Sequence, residues 1–157
     1  MSGIKHAIKR LRRMKGKSIG LLVDGKNLGD SRIDLELRNV KNVLEEIGNL
    51  RVAKVLLNEL PSDDVSKAIS KLGFLSIVYL NDTDVYVALE AMELAYNDKI
   101  KVLALVTDDE NLIPVLVKAK ERGKETVIVE ISEGAIGEGL RNSADYFCQF
   151  PEEGPAE

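Results

Sequence analysis

At about 150 residues per domain, 157 residues make one domain, and 45% hydrophobic with 31% charged residues is enough for a full core, which excludes a wholly disordered chain. A single cysteine (Cys148) and a single histidine (His6) exclude an internal disulfide and a cysteine–histidine zinc set, and argue against serine–histidine and cysteine–histidine triads. Net charge is −4, no apolar run reaches the ~20 residues of a bilayer span and no signal peptide is visible, so a soluble cytoplasmic protein without a membrane span is expected.

The first predicted element is a basic arm, residues 1–17. Ile4, Ile8, Leu11 and Met14 fall on one helix face. Lys5, Lys9, Arg10, Arg12, Arg13, Lys15 and Lys17 fill much of the rest with no acid among them, while the other 140 residues carry 15 basic groups and all 26 acids, a net of −11. Such asymmetry fits a solvated surface helix docked by its apolar stripe, an arm that contacts phosphates, or a helix lying on an anionic membrane.

From Ser18 strands and helices alternate. SIGLLVD (18–24) predicts a strand, and Ile33, Leu37, Val40, Leu44 and Ile47 repeat at helical spacing before Gly48. LRVAKVLL (50–57) is a second strand, and 62–73 a second helix capped by Ser62 or Asp63. FLSIVYL (74–80) is a third strand, followed by a helix over 84–96. IKVLALV (100–106) is a fourth, followed by a helix over 111–122 that Gly123 closes. ETVIV (125–129) is a fifth. The stretch 134–142 is glycine-rich with room for a short helix, DYFCQF (145–150) adds a last strand, and the tail 151–157 is expected to fray. The alternation implies an α/β fold with a mostly parallel sheet and helices on both faces. Ligands in such folds bind outside the carboxyl ends of the strands.

Three loops at that edge are acidic: Asp24-Gly25-Lys26-Asn27, Asn81-Asp82-Thr83-Asp84 and Thr107-Asp108-Asp109-Glu110-Asn111. Two carboxylates ~4 Å apart repel by about 4 kcal/mol at an effective dielectric of 20, so crowding them is costly unless a cation offsets it. Oxygen donors without histidine or cysteine suit Mg²⁺ or Mn²⁺. Helix capping is the rival explanation: Asp84 is placed to cap a helix from Val85, and Asp108 or Asp109 one from Asn111. Asp24 is harder to explain that way, since its helix starts several residues later. Phosphate-loop and dinucleotide glycine motifs are absent, and Val129-Glu130 at the end of strand five lacks the lysine of a receiver domain.

GLLVDGKN resembles the opening motif of NYN-domain proteins, a branch of the PIN-like nuclease superfamily. DTDVYVALEAMELAY is similar to the second motif, VLALVTDDENLIPVLVKAKERGKETVIV to the third and LRNSADYF to the C-terminal signature. The resemblance spans Ser18 to Phe150 and is nearest to archaeal single-domain NYN proteins. It implies a PIN-like three-layer α/β/α sandwich with a five- to six-stranded sheet, and metal-dependent RNA cleavage leaving 5′-phosphate and 3′-hydroxyl ends. Matched by position, Asp24, Asp84 and Asp109 are the core acids and Asn27 the asparagine of the opening motif, making these four the candidate catalytic residues. Asn111 and Leu112 depart from the aspartate–phenylalanine pair usual in the third motif, a change that weakens metal affinity unless Asp108 or Asp82 compensates.

The implied metal ligands are therefore Asp24, Asp84 and Asp109, with Asp108, Asp82 and Asn111 in reserve, and RNA is the implied partner of the basic arm. Lys118, Lys120, Arg122 and Lys124 are read as cations at a helix end, Cys148 as a core residue, and Asp145 as a local cap or pair outside the site. With aromatic content at 4%, base-stacking platforms are expected to be sparse. A homodimer is compatible with the sequence. Two other readings stand beside the nuclease: a non-catalytic RNA-binding or adaptor protein with a degenerate third motif, and an interaction domain with capping aspartates and no metal.

Overall fold

The computed structural model describes residues 15–29, 32–81, 83–131 and 134–150. Six strands carry the fold: β1 (Ser18–Asp24), β2 (Asn49–Leu57), β3 (Leu75–Val78), β4 (Val102–Val106), β5 (Glu125–Glu130) and β6 (Tyr146–Gln149). Five helices connect them: α1 (Ile33–Ile47), α2 (Asp63–Lys71), α3 (Asp84–Tyr96), α4 (Ile113–Glu121) and α5 (Glu138–Ser143). All strand pairings are parallel, in the order β3-β2-β1-β4-β5-β6. This is the expected α/β architecture, with the sheet parallel throughout.

Alternation along the strands divides the core in two. Ile19, Leu21, Val23, Val55 and Val102 face Leu37, Val40, Leu44 and Ile47 of α1 and Ile69 of α2. Leu22, Leu56, Leu103, Leu105 and Ile128 face Val87, Ala91 and Leu94 of α3, Leu116 of α4 and Leu140 of α5. The central strand β4 is buried along its whole length, VLALV, because helices cover both of its faces. Cys148 belongs to the α1 side of the core, unpaired and buried.

Local chemistry fixes the connections. Ser62 Oγ accepts the Val65 N–H and starts α2. Gly123 has φ 80°, a left-handed conformation that ends α4 without a Cβ penalty. The helix expected over 111–122 is preceded by a 3₁₀ turn, Glu110–Leu112, and begins at Ile113 with Pro114 in its first turn, where a missing N–H leaves no bond unmade. A second 3₁₀ turn, Gly25–Asn27, follows β1 directly. Three residues are too few for a hydrophobic period to reveal them.

Candidate metal and phosphate site

The strand order reverses between β1 and β4. Val23 lies opposite Val106, so Asp24, the last residue of β1, and Thr107, the residue after β4, follow them at the carboxyl edge. The crevice outside such a switch point is where open parallel sheets bind ligands.

Asp24 ends β1 and is 2% exposed. One of its oxygens accepts the Lys26 N–H at 3.2 Å, capping the 3₁₀ turn. Its neighbour must be glycine, since a Cβ on Gly25 would collide with the Leu56 carbonyl oxygen. Asn27 Nδ2 donates to the Asp24 carbonyl at 3.4 Å and steadies the same turn. Burial pushes the Asp24 carboxyl above its ordinary value; the Lys26 N–H and ammonium oppose that shift, while Asp108 and Asp84 add to it.

Asp84 does not cap a helix from Val85. It is the first residue of α3, with Thr83 before it making no side-chain cap bond. Its carboxylate instead pairs with the Lys26 ammonium, which lies 4.0 Å from Asp24. The bond to Asp84 is the main cause raising the Lys26 pKa, with Asp24, Asp84 and Asp109 charges also raising it. Lys26 and Asp84 side chains are 41% and 47% exposed, so their pair is worth at most about 1 kcal/mol.

Asp109 caps the 3₁₀ turn: its Oδ1 accepts the Asn111 N–H at 2.9 Å, and its own N–H donates to Thr107 Oγ1 at 3.1 Å. Asp108 and Asn111 are exposed beside it. Capping and convergence therefore coexist, because Asp24 and Asp109 cap short turns while their charges bear on one ammonium. Among the described residues, no three His, Cys, Asp or Glu side chains lie close enough to cage a metal ion. The site thus lacks a three-carboxylate cage of Asp24, Asp84 and Asp109. What it has is the Lys26 ammonium set between the Asp24 and Asp84 carboxylates. Asp82 lies outside the described residues.

A pocket of ≈ 180 Å³ adjoins the gap, lined by Lys26, Asn27, Thr107, Asp108, Glu130 and Ile136 among others. Glu130, the last residue of β5, is 1% exposed and accepts N–H groups from Ile136 at 2.9 Å and Gly134 at 3.3 Å. It therefore holds the pocket's outer loop. Neither Glu130 nor Lys26 stood among the candidate site residues of the sequence. The signal for Glu130 was the one that marked Asp24, an acid ending a buried apolar strand.

Of the basic candidates in the arm, Lys15 and Lys17 are within the described residues, and they lie away from the carboxyl edge. Lys5, Lys9, Arg10, Arg12 and Arg13 lie outside the described residues. Lys15 sits exposed in a turn ahead of β1, and Lys17 is ion-paired with Glu125, at the amino end of the sheet. Lys118 pairs with Glu121, Lys120 lies 3.9 Å from Asp145 and Arg122 stacks over the Tyr96 ring at 4.2 Å. Asp145 accepts the N–H and hydroxyl of Thr126, a local partnership remote from the acids of the carboxyl edge. Tyr79 and Tyr86 stack on each other with ring centroids 3.8 Å apart.

A family model for the NYN domain matches residues 18–150. An uncharacterized protein of the archaeon Methanocaldococcus jannaschii is 35% identical over 145 residues, covering 92% of this chain; the match spans 60% of that relative's own length. A crystal structure of a protein of unknown function from Vibrio parahaemolyticus shares the fold at a TM-score of 0.73 and 17% identity, over 87% of this chain and 94% of that one. No helix among the described residues is long and apolar enough to cross a membrane.

Proposed function

Because the chain belongs to the NYN family, within the PIN-like nuclease superfamily, we propose that it is a metal-dependent ribonuclease whose active site is the crevice at the carboxyl ends of β1 and β4. The observation that carries this reading is the approach of the Asp24 and Asp84 carboxylates to one point, occupied by the Lys26 ammonium, at the switch point of the sheet. Its oxygen-only donors suit Mg²⁺ or Mn²⁺. Asp24 and Asp84 would hold the ion, with Asp109 and Asp108 adding negative charge nearby. When bound, such an ion supplies Lewis acidity to the scissile phosphodiester and acidifies water.

The chain's own residues do the rest. Asn27 and the Lys26 N–H fix the turn that aims Asp24. Asp109 and Thr107 fix the turn after β4. Glu130 holds the wall of the adjoining pocket, which is the space for the scissile phosphate and its nucleotide. No histidine is required as a base. The basic arm, residues 1–17, would track the RNA backbone and offset the repulsion between an acidic edge and an anionic substrate.

The test is cleavage of end-labelled RNA with Mn²⁺, comparing the protein with Asp24→Asn prepared identically, so that contaminating nucleases are exposed. Loss of cleavage in the variant supports the assignment; equal cleavage by both refutes it. The absence of a three-carboxylate cage among the described residues is the observation favouring a non-catalytic RNA-binding protein. RNA binding without cleavage in either protein would establish that alternative.

A further inference from the structure

We propose that Lys26 is the resident counter-ion of the Asp24–Asp84 gap, and that a divalent cation enters only by displacing its ammonium. The inference rests on the metal-dependent reading above and adds a residue with a defined antagonistic role. Lys26 is two residues from Asp24, and its backbone N–H is bonded to the Asp24 carboxylate, so its Cα is fixed beside the gap. Gly25 packs against the Leu56 carbonyl and leaves that anchor little room to shift. From this fixed base the ammonium bonds to Asp84, lies 4.0 Å from Asp24 and is within reach of the Asp109 charge.

A tethered cation is present at high effective concentration and costs no translational entropy to bind. It balances Asp24 and Asp84 in the absence of metal. It also taxes metal binding, because entry must break the Lys26–Asp84 bond and then tolerate a positive charge still tethered nearby. The displaced ammonium has an obvious destination. Lys26 also lines the ≈ 180 Å³ pocket, where a substrate phosphate would receive it. Lys26 thus makes the free protein a poor metal binder and a phosphate-bearing ligand a better partner for the metal-loaded one.

The experiment measures Mn²⁺ binding to the full chain by the loss of the free-ion paramagnetic resonance signal, without RNA. Lys26→Gln should tighten Mn²⁺ binding about tenfold, equivalent to about 1.4 kcal/mol. Lys26→Met, which keeps the aliphatic stem, should do the same should the glutamine variant fold poorly. Lys26→Arg retains the cation and should stay within about twofold of the parent. The upward shift of melting temperature by Mn²⁺ should be larger in the neutral variants than in the parent. Saturable binding to the parent, abolished by Asp24→Asn but unchanged or weakened by both neutral variants, overturns the role of Lys26 and leaves the metal site standing. No saturable binding to the parent or to the neutral variants overturns the metal site, and this proposal with it.

Discussion

The two edges of the sheet treat charge in opposite ways. At the amino edge several charged groups are matched to structural partners. Lys124, 8% exposed, donates to the Asn97 and Ile100 carbonyls, Lys17 pairs with Glu125, and Asp145 takes the Thr126 N–H and hydroxyl. At the carboxyl edge Asp24 is buried and has its carboxyl pKa raised, with Asp108 and Asp84 adding like charge to it, while Asp24, Asp84 and Asp109 act on one lysine. The first arrangement closes a structure. The second keeps an electrostatic cost in place, as sites built for a ligand do.

Replacing one aspartate at each edge tests that contrast most severely. Asp24→Asn should lower RNA cleavage at least about 100-fold while the protein still folds, because it removes a carboxylate whose charged form burial disfavours. Asp145→Ala should instead destabilise by about 1–3 kcal/mol, leaving the Thr126 donors unmatched, and spare the cleavage rate of the folded fraction. Equal effects of the two on cleavage would erase the distinction between edges.

The arm extends the comparison beyond the sheet. Deleting residues 1–14 removes five cations, and if each meets a phosphate of single-stranded RNA, the slope of log affinity against log salt should flatten by about 3.5. An unchanged slope removes the arm from substrate binding. Gly25→Ala probes how tightly the carboxyl edge is built. The collision with the Leu56 carbonyl should cost about 1–3 kcal/mol in denaturant unfolding and lower cleavage at the same time, since the strained residue adjoins Asp24.

The smallest effect concerns the core between the edges. Burial pushes the Cys148 thiol from 9.0 up to about 11. The folded state therefore keeps its proton to higher pH than the unfolded chain. The stability this confers is complete below pH 9.0 and is lost as pH rises from there through about 11. Relative to Cys148→Ala, the protein should lose about 1 kcal/mol by pH 10, read from urea unfolding at each pH. A pH-independent difference would mean that the thiol is not held in its neutral form by the core.

Much of this molecule was legible in one dimension. Apolar runs ending in polar loops, and helical repeats such as Leu37, Val40, Leu44 and Ile47, identify six strands and the helices between them because burial imposes periods of 2 and 3.6 on the residues themselves. Strand alternation with helices made a parallel sheet the economical topology, and that topology placed Asp24, Asp84 and Asp109 at one edge. What the sequence could not provide was the distance between side chains on separate loops. Whether three acids form a cage or a gap depends on the reach of Lys26, on short 3₁₀ turns too brief to leave a period, and on the register of β1 against β4. Those are settled only when packing fixes all the strands together, which is why Lys26 was seen as part of a motif in the sequence and as an occupant of the site in three dimensions.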